Sequence, residues 1–554
     1  MKRVLCGLIC LCLCVVSTTH TQAAKRRRSW SGKRTGISAI RRSAKRVTLM
    51  RWVYRIRLGS ARLQRIAGRQ LAQMRETRSI PYMLGLLHMK EAKMRRGGVL
   101  ALMAWRLPWS VDAIRPLLRD ADLGVRLAAI EALGVLKDQA SSRLLLRRVK
   151  VGSVAEKIAA LRALSAIGDP SVLRDLPTHK GRLAVVTSLA KASLGDKVSQ
   201  QWWAARVWTQ PRLGKQLGRW PGAWSASLLR KGLMSPVRKK RIFAVRWMKM
   251  RYEKARAGNF RKACQIRRLT SYTCNSIRAY LRMGPPSKVD VPRPFFLMKK
   301  NALSSALSNI HTTHKNRQAR LQAISARMLG TPYQLDALGE GPHGQYDKDP
   351  IFSFKRLDCV TFLEESVALG QHSGLKRAIA YTQTLRYIKG MVGYRFRRHL
   401  PMAQWIPGLI RKKVFVDITR RVGGTDTRTL VKVISRRSYA ARSARRFVRR
   451  MGARRLVKGT FKLPYLSLQD AIKHHNKIPV GAIISMLRPS KPYSPGQIFH
   501  QGLIVRLKQG LHIRHATKVW GGIVDTPLRW YLRSLLRYRR PVLGIHLLQH
   551  RTQP

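Results

Sequence analysis

Residues 356–370 read RLDCVTFLEESVALG and place Cys359 directly after an aspartate, at the start of a helical pattern. Asp358 is a residue type that favours the N-cap of a helix. Apolar residues follow at helical spacing and would form one face: Val360, Phe362, Leu363, Val367 and Leu369. The stretch therefore predicts a helix that begins at Cys359. Free backbone N–H groups and the helix dipole stabilise a thiolate there, which favours a nucleophile over a packed core thiol or half of a disulfide.

A thiol nucleophile needs a histidine base and a third group that orients the histidine. Two strand-like segments, Ile498–Leu507 and Leu511–Thr517, carry His500 and His515 and are separated by the turn signal KQG. A hairpin with its loop centred between residues 507 and 508 would put the two histidines directly opposite each other. We therefore predict that His500 takes the thiol proton and that His515 holds the ring of His500 in place.

The C-terminal part, about 300–550, differs in character from the rest of the chain. A third strand-like segment, Val480–Leu487, precedes the two that carry the histidines, so a helix is followed by several strands. This order predicts an α+β domain. Seven of the 24 acidic residues of the chain lie between Asp336 and Glu365, which sets this region apart from its basic surroundings.

The charge of the chain limits its partners. The 554 residues include 111 Lys and Arg against 24 Asp and Glu, a net charge of +87. Such a surface attracts polyanions, either nucleic acid or the anionic polymers and lipid headgroups of a cell envelope. Residues 1–24 combine a Lys2-Arg3 start, an apolar run and small alanines, which is the layout of a secretory signal. We therefore expect an exported, periplasmic or envelope-associated protein, with envelope polymers rather than nucleic acid as partners.

The apolar run of the predicted signal, Val4–Val16, is too short for a membrane span, which needs about 20 residues. Four of the seven cysteines lie within residues 1–24. Of the other three, Cys264 and Cys274 either form a local disulfide or stay reduced, and Cys359 has no obvious partner. No cysteine or histidine cluster has the spacing of a metal site, so we expect neither a metal nor a cofactor.

An internal repeat occupies about 78–198. Val125–Asp138 and Glu156–Asp169 match at an offset of 31 residues, and the same offset leads back to Met94–Pro108. Units of this length stack into solenoids, and the alanine-rich pattern resembles HEAT-type repeats; an irregular helical bundle is the alternative. We expect this all-α part to offer a binding surface. A basic, partly disordered arm (25–77) precedes it, and a basic, Trp-rich helical region with a linker (199–295) follows.

Four motifs occur in a recognisable order: LGTPY at 329–333, LDCVTF at 357–362, HQGLI at 500–504 and HAT at 515–517. Over roughly 320–548 the chain resembles the N-acetylmuramoyl-L-alanine amidase-like family within the NlpC-type, papain-like cell-wall cysteine peptidases. The resemblance implies a helix that packs on a small antiparallel sheet and is headed by the nucleophile Cys359, with His500 as base and His515 as third polar residue. It also implies that Tyr333 lines the site and that amide bonds of peptidoglycan stem peptides are hydrolysed without a metal.

Two points remain open at the level of sequence. Arg398 and Trp405, in RRHLPMAQW, belong either to a substrate groove beside Tyr333 and Asp358 or to the core and rim of the domain. The long interval between Cys359 and the first histidine implies an insertion at about 400–465, which leaves the bond specificity undecided. The alternatives are a D,L-endopeptidase of the same superfamily and a non-catalytic, polyanion-binding HEAT scaffold.

Overall fold

The computed structural model describes residues 49–248 and 291–551. The predicted signal, the first part of the basic arm and the cysteines at 264 and 274 lie outside these residues. Within them, residues 49–248 are helical and residues 291–551 contain an antiparallel sheet, which confirms the predicted two-part architecture. The HEAT-like and papain-like classes stay predictions. None of the described helices is long and apolar enough to cross a membrane.

The N-terminal part begins with helical residues 49–58 and continues as a series of short helices. These are α1 (Ala61–Gln73), α2 (Ile80–Leu86), α3 (Ala92–Trp105), α4 (Val111–Ile114), α5 (Leu123–Leu136), α6 (Ser142–Val151), α7 (Val154–Ile167), α8 (Gly181–Leu194), α9 (Lys197–Arg206), α10 (Pro211–Arg219), α11 (Ala223–Leu233) and α12 (Arg238–Met248). Three of them, α3, α5 and α7, carry the 31-residue repeat and pack against one another in that order.

The repeat positions show how the stack is built. Val99, Ile130 and Leu161 are spaced by 31 residues and are each fully buried. Gly134 of α5 lies so close to α7 that an added Cβ would come within 2.7 Å of the Ala163 Cα atom. The repeat read from the sequence is therefore a set of equivalent helix faces that bury one continuous core.

Some of the few acidic residues of the helical part join different helical segments through ion pairs. Arg95 pairs with Asp120 at 2.6 Å, and Arg126, one repeat further on, pairs with Glu156 at 2.7 Å. The hydrogen bond from Arg126 lowers the pKa of Glu156 to about 2. These acids neutralise few of the basic side chains, so the helical part keeps a strongly positive surface.

The C-terminal part combines nine helices and eight strands within residues 291–551. The helices are α13 (Lys300–Thr313), α14 (Arg317–Arg327), α15 (Cys359–Gln371), α16 (Leu375–Arg386), α17 (Ile406–Arg411), α18 (Thr419–Gly423), α19 (Arg445–Met451), α20 (Leu468–Lys473) and α21 (Leu528–Leu535). The strands are β1 (Phe415–Asp417), β2 (Arg428–Ile434), β3 (Gly459–Ser467), β4 (Ala482–Leu487), β5 (Ile498–Leu507), β6 (Gly510–Thr517), β7 (Gly522–Pro527) and β8 (Gly544–His550).

The eight strands form one sheet of order β2-β3-β8-β4-β5-β6-β7, and β1 pairs with β8. Every neighbouring pair is antiparallel. Helix α15 packs on one face of β5 and β6, and helices α20 and α21 cover the opposite face. The sheet is therefore buried on both sides, with the helix headed by Cys359 against its centre.

The β5–β6 hairpin forms as predicted, and its register differs by two residues from a direct pairing of His500 with His515. Leu503 lies opposite Arg514, and Leu507 opposite Gly510, so the turn consists of Lys508 and Gln509. A shift of two residues keeps every side chain on its original face. The two histidines are therefore diagonal neighbours on one face, which long side chains can still bridge.

The turn between β6 and β7 packs into the hydrophobic core of the helical part. Trp520, in the turn between β6 and β7, is 6% exposed and belongs to the same cluster as the helices of the N-terminal part. Tyr54 and Tyr82 meet its ring edge-on, with centroid distances of 5.4 Å and 5.0 Å. An added Cβ on Gly85 of α2 would lie 2.1 Å from the Trp520 carbonyl oxygen, so α2 and this turn are in backbone contact.

Candidate active site

Cys359 is the first residue of α15, as predicted from the sequence. The Asp358 side chain accepts hydrogen bonds from the backbone N–H groups of Val360 at 3.0 Å and Thr361 at 2.8 Å. Its second carboxylate oxygen accepts from the Asp336 backbone N–H at 3.2 Å. The carboxylate of Asp358 thus accepts backbone N–H groups at the start of α15 and holds Cys359 in position, while its contact with substrate stays a prediction.

The Cys359 thiol is free and partly accessible. Backbone N–H groups of Cys359 and Val360, at the helix start, and of Gln501, on β5, are directed at the sulfur. Burial, together with the negative charge of Asp358, nevertheless raises the pKa of the Cys359 thiol to about 12. Burial therefore opposes the stabilisation that the helix N-terminus gives to a thiolate, because the cost of burying the charge exceeds the stabilisation by the amides.

The structure brings the two predicted histidines into contact. His500 Nε2 lies 2.7 Å from His515 Nδ1, and His515 Nε2 lies 3.2 Å from the hydroxyl of Thr526 on β7. Burial lowers the pKa of His500 to about 4, and burial together with the neighbouring His500 lowers the pKa of His515 well below its ordinary value. Both rings are therefore neutral at pH 7. Since Nε2 of His500 is engaged, Nδ1 is the nitrogen left to accept a proton.

The helix that begins at Cys359 packs against β5, the strand that carries His500. The backbone N–H of Gln501, the residue after His500, is directed at the sulfur. Among the hydrogen bonds of residues 49–248 and 291–551, none joins the Cys359 thiol to His500. Hydrogen bonds between catalytic groups are often long in the absence of substrate and shorten in the complex.

Two tyrosines flank the thiol and the histidine pair. Tyr333 is half-buried, and burial together with the charge of Cys359 raises its pKa to about 12, so its phenol stays protonated. Its backbone N–H donates to the Gly521 carbonyl at 2.9 Å, which ties it to the turn before β7. Tyr531 of α21 meets the His515 ring at a centroid distance of 5.1 Å.

The sequence analysis did not identify Thr526 or Tyr531. The signal that would have found them is the strand β7, GIVDTP, followed by the amphipathic helix α21. In the observed register Thr526 lies opposite Ile513, two residues from His515 and on the same face. A predicted third strand after the hairpin would therefore have indicated a hydroxyl beside the histidine pair.

The structure buries the side chains of Arg398 and Trp405, and their place in a substrate groove stays a prediction. Trp405 is 2% exposed, and its Nε1 donates to Glu364 at 3.0 Å. Arg398 donates to the backbone carbonyls of Thr384 at 3.1 Å and Leu385 at 2.9 Å. A buried carboxylate such as Glu364 requires donors, and these side chains belong to the network that supports α15 from behind.

The described residues contain no cluster of three or more His, Cys, Asp or Glu side chains that would hold a metal ion. The geometry provides instead a thiol at a helix start, a neutral histidine pair and backbone N–H groups directed at the sulfur. Such a set can transfer an acyl group to sulfur and then to water.

Comparisons with known proteins find a family similarity in the C-terminal part of the chain. Residues 323–536 match the model of the AmiA-like family, described as N-acetylmuramoyl-L-alanine amidase-like. The match includes Cys359, His500, His515 and Thr526 and excludes the helices of residues 49–248. A search of curated proteins finds no match.

Similar solved structures each cover less than half of this chain. A protein from Legionella pneumophila str. Philadelphia 1 is 22% identical, and the alignment covers 46% of this chain and 96% of that one, with a TM-score of 0.41. An N-acetylmuramoyl-L-alanine amidase from Bacteroides uniformis ATCC 8492 is 19% identical over 42% of this chain and 99% of that one, with a TM-score of 0.34.

Proposed function

We propose that the protein, whose residues 323–536 form an N-acetylmuramoyl-L-alanine amidase-like domain, is a cell-wall hydrolase that cleaves an amide bond of peptidoglycan stem peptides by a Cys-His-His thiol mechanism. The observation that carries the proposal is the position of Cys359 at the start of a capped helix, against the strand that bears the hydrogen-bonded pair His500 and His515. No metal is needed for this chemistry.

The reaction follows from the protonation states. His500 Nδ1 takes the thiol proton as Cys359 Sγ attacks the carbonyl carbon of the amide, and the imidazolium so formed stays hydrogen-bonded to His515. The Cys359 backbone N–H stabilises the negative charge on the tetrahedral oxygen, since the next two N–H groups of α15 are held by Asp358. His500 then returns the proton to the leaving amine, and a thioester remains on Cys359. Water, deprotonated by His500, hydrolyses this thioester and regenerates the thiol.

The family match favours cleavage between the muramic acid lactyl group and L-alanine. Mass spectrometry of products released from purified peptidoglycan tests this assignment. We expect free lactyl carboxyl groups together with intact stem peptides. Shortened stem peptides would contradict the amidase assignment and support a D,L-endopeptidase. If no product is released, the non-catalytic scaffold is the remaining alternative.

The neutral resting pair has a measurable consequence. With the pKa of Cys359 raised to about 12 and that of His500 lowered to about 4, neither group is charged at pH 7. We expect the ultraviolet absorbance of a thiolate to be equal in wild type and Cys359→Ser between pH 5 and pH 9. Since protonated His500 cannot accept the thiol proton, kcat/KM should fall only as the pH drops toward about 4. A thiolate absorbance at neutral pH that disappears in Cys359→Ser would contradict this prediction, because it would show that the thiol is charged before substrate binds.

We also propose that the protein is exported and bound to anionic polymers of the cell envelope. The net charge of +87 supports this proposal. Ion pairs between helices also support it, because acidic side chains engaged in them leave other basic side chains uncompensated. Purified protein should be retained on an envelope polymer rich in phosphate or carboxylate at about 0.1 M salt and released near about 1 M salt, where screening is strong. Retention that does not change with salt would show that charge is not the cause.

A further inference from the structure

The helical part reaches the histidine pair through a single side chain. Tyr82 of α2, outside the matched residues 323–536, directs its hydroxyl at strand β7 and is 3% exposed. The hydroxyl donates to the backbone carbonyl of Asp525 at 2.8 Å and is also hydrogen-bonded to the side chain of Thr526. The Thr526 hydroxyl, itself 4% exposed, is the group that lies 3.2 Å from His515 Nε2. Four side chains thus form a continuous chain from α2 to His500.

The direction of each hydrogen bond in this series follows from the bond between Tyr82 and the Asp525 carbonyl. A carbonyl oxygen only accepts, so Tyr82 gives its one proton to Asp525. The bond between Tyr82 and Thr526 must then use the threonine proton. His515 Nε2 therefore carries a hydrogen and donates to the threonine oxygen.

The same reasoning fixes the hydrogen positions on the imidazole rings of His515 and His500. A neutral imidazole carries one hydrogen, so His515 Nδ1 is an acceptor once Nε2 is a donor. Nε2 of His500 then donates to it, and Nδ1 of His500 is left with a free lone pair. That lone pair is the one a base needs to remove the thiol proton.

We propose that Tyr82 is a positioning residue that sets the tautomers of His515 and His500 through Thr526, so that the helical part keeps the base in its working form. The proposal rests on the proposed function, because the tautomer of His500 matters only if His500 is the base. The third residue of the site is a histidine, His515, and either of its ring nitrogens can carry the hydrogen. A partner that fixes the tautomer of His515 is therefore needed. A hydrogen on His515 Nδ1 would force the hydrogen of His500 onto Nδ1 and remove the base.

The variant Tyr82→Phe tests the proposal. It keeps the ring that meets Trp520 at 5.0 Å and removes only the hydroxyl. The Thr526 hydroxyl can then donate to His515 Nε2. His515 would then carry its hydrogen on Nδ1, and His500 would carry its hydrogen on Nδ1 as well. We expect kcat to fall between about 10-fold and 100-fold, as for other partners that orient a functional histidine, with KM within about twofold.

The second readout is independent of turnover. In protein labelled with nitrogen-15 at histidine, the imidazole signals of His500 and His515 report which nitrogen carries the hydrogen, and single His→Gln variants assign them. Wild type should show one tautomer for each ring, and Tyr82→Phe a mixture. The matched control is Tyr54→Phe, which removes a hydroxyl from the other tyrosine on Trp520, a side chain that is 41% exposed. It should leave kcat and both histidine signals unchanged.

A double variant separates positioning from simple packing. If Tyr82 acts only through Thr526, the pair Tyr82→Phe and Thr526→Val should be no slower than Thr526→Val alone. Wild-type kcat and histidine signals in Tyr82→Phe would overturn the proposal, and so would losses that add in the double variant. If wild type cleaves no amide while its histidine signals still depend on Tyr82, the proposed function fails and the hydrogen-bond order stands.

Discussion

Replacing Cys359 with alanine is expected to lower the rate of product release from purified peptidoglycan by about ten-thousandfold or more, the usual cost of removing a covalent nucleophile. No other group described near His500 can form the acyl intermediate, so the remaining histidines and backbone amides would have no nucleophile to assist. The circular dichroism spectrum should stay that of wild type, because Asp358 caps α15 through backbone N–H groups that the substitution keeps.

The chain offers its own controls for this variant. Cys264→Ala and Cys274→Ala make the same chemical change elsewhere and should leave turnover unchanged. Cys359→Ser keeps an O–H in place of the S–H, yet His500 is a base matched to a thiol, so serine should recover little of the activity. Full activity in Cys359→Ala would end the thiol mechanism and, with it, the proposed roles of His500 and His515.

Replacing Trp520 with alanine is expected to lower the free energy of unfolding by about 3–5 kcal/mol, as for other buried tryptophans. The ring fills the junction between the helical part and β7, where it meets Tyr54 and Tyr82 and lies 5.0 Å below the guanidinium of Arg57. A cavity at this point would also free Tyr82 from Asp525 and Thr526. Turnover on a soluble muropeptide should therefore fall together with stability, although residue 520 bears no catalytic group.

Urea unfolding and limited proteolysis measure the stability of Trp520→Ala, and Trp530→Ala is the matched control. Trp530 lies on α21 next to Tyr531, whose ring meets His515, but the side chain of Trp530 is 50% exposed. Removing it should change the free energy of unfolding by less than about 0.5 kcal/mol. Wild-type stability and turnover in Trp520→Ala would mean that the helical part is a separate binding module, which is what the sequence suggested.

Local patterns in the sequence predicted the elements that carry the site. The start of α15 at Cys359 and the bounds Ile498–Leu507 of β5 are confirmed, because a capping residue and β-type alternation are local properties. The hairpin register was missed for an equally local reason. Gly510, with φ of +106°, closes a two-residue turn instead of lying inside a longer loop.

Long-range contacts account for what the sequence did not reveal. Tyr82 and Asp525 are 443 positions apart, and no spacing rule joins a solenoid-like helix to a strand near the other end of the chain. The pKa of Cys359 has a similar origin. The N-terminal position on α15 was visible in the sequence, but the burial that outweighs it depends on how α15 packs against β5.

The contact of Tyr82 with β7 also bears on when the enzyme becomes competent during its synthesis. A polypeptide is made from its N-terminus, so α2 exists long before Asp525 and Thr526, which lie within the last 30 residues of the chain. An unfinished chain would contain Cys359 and both histidines while the strand that orients them was still missing. If the proposed function holds, hydrolytic competence would then require β7, and chains that lack this strand would stay inactive.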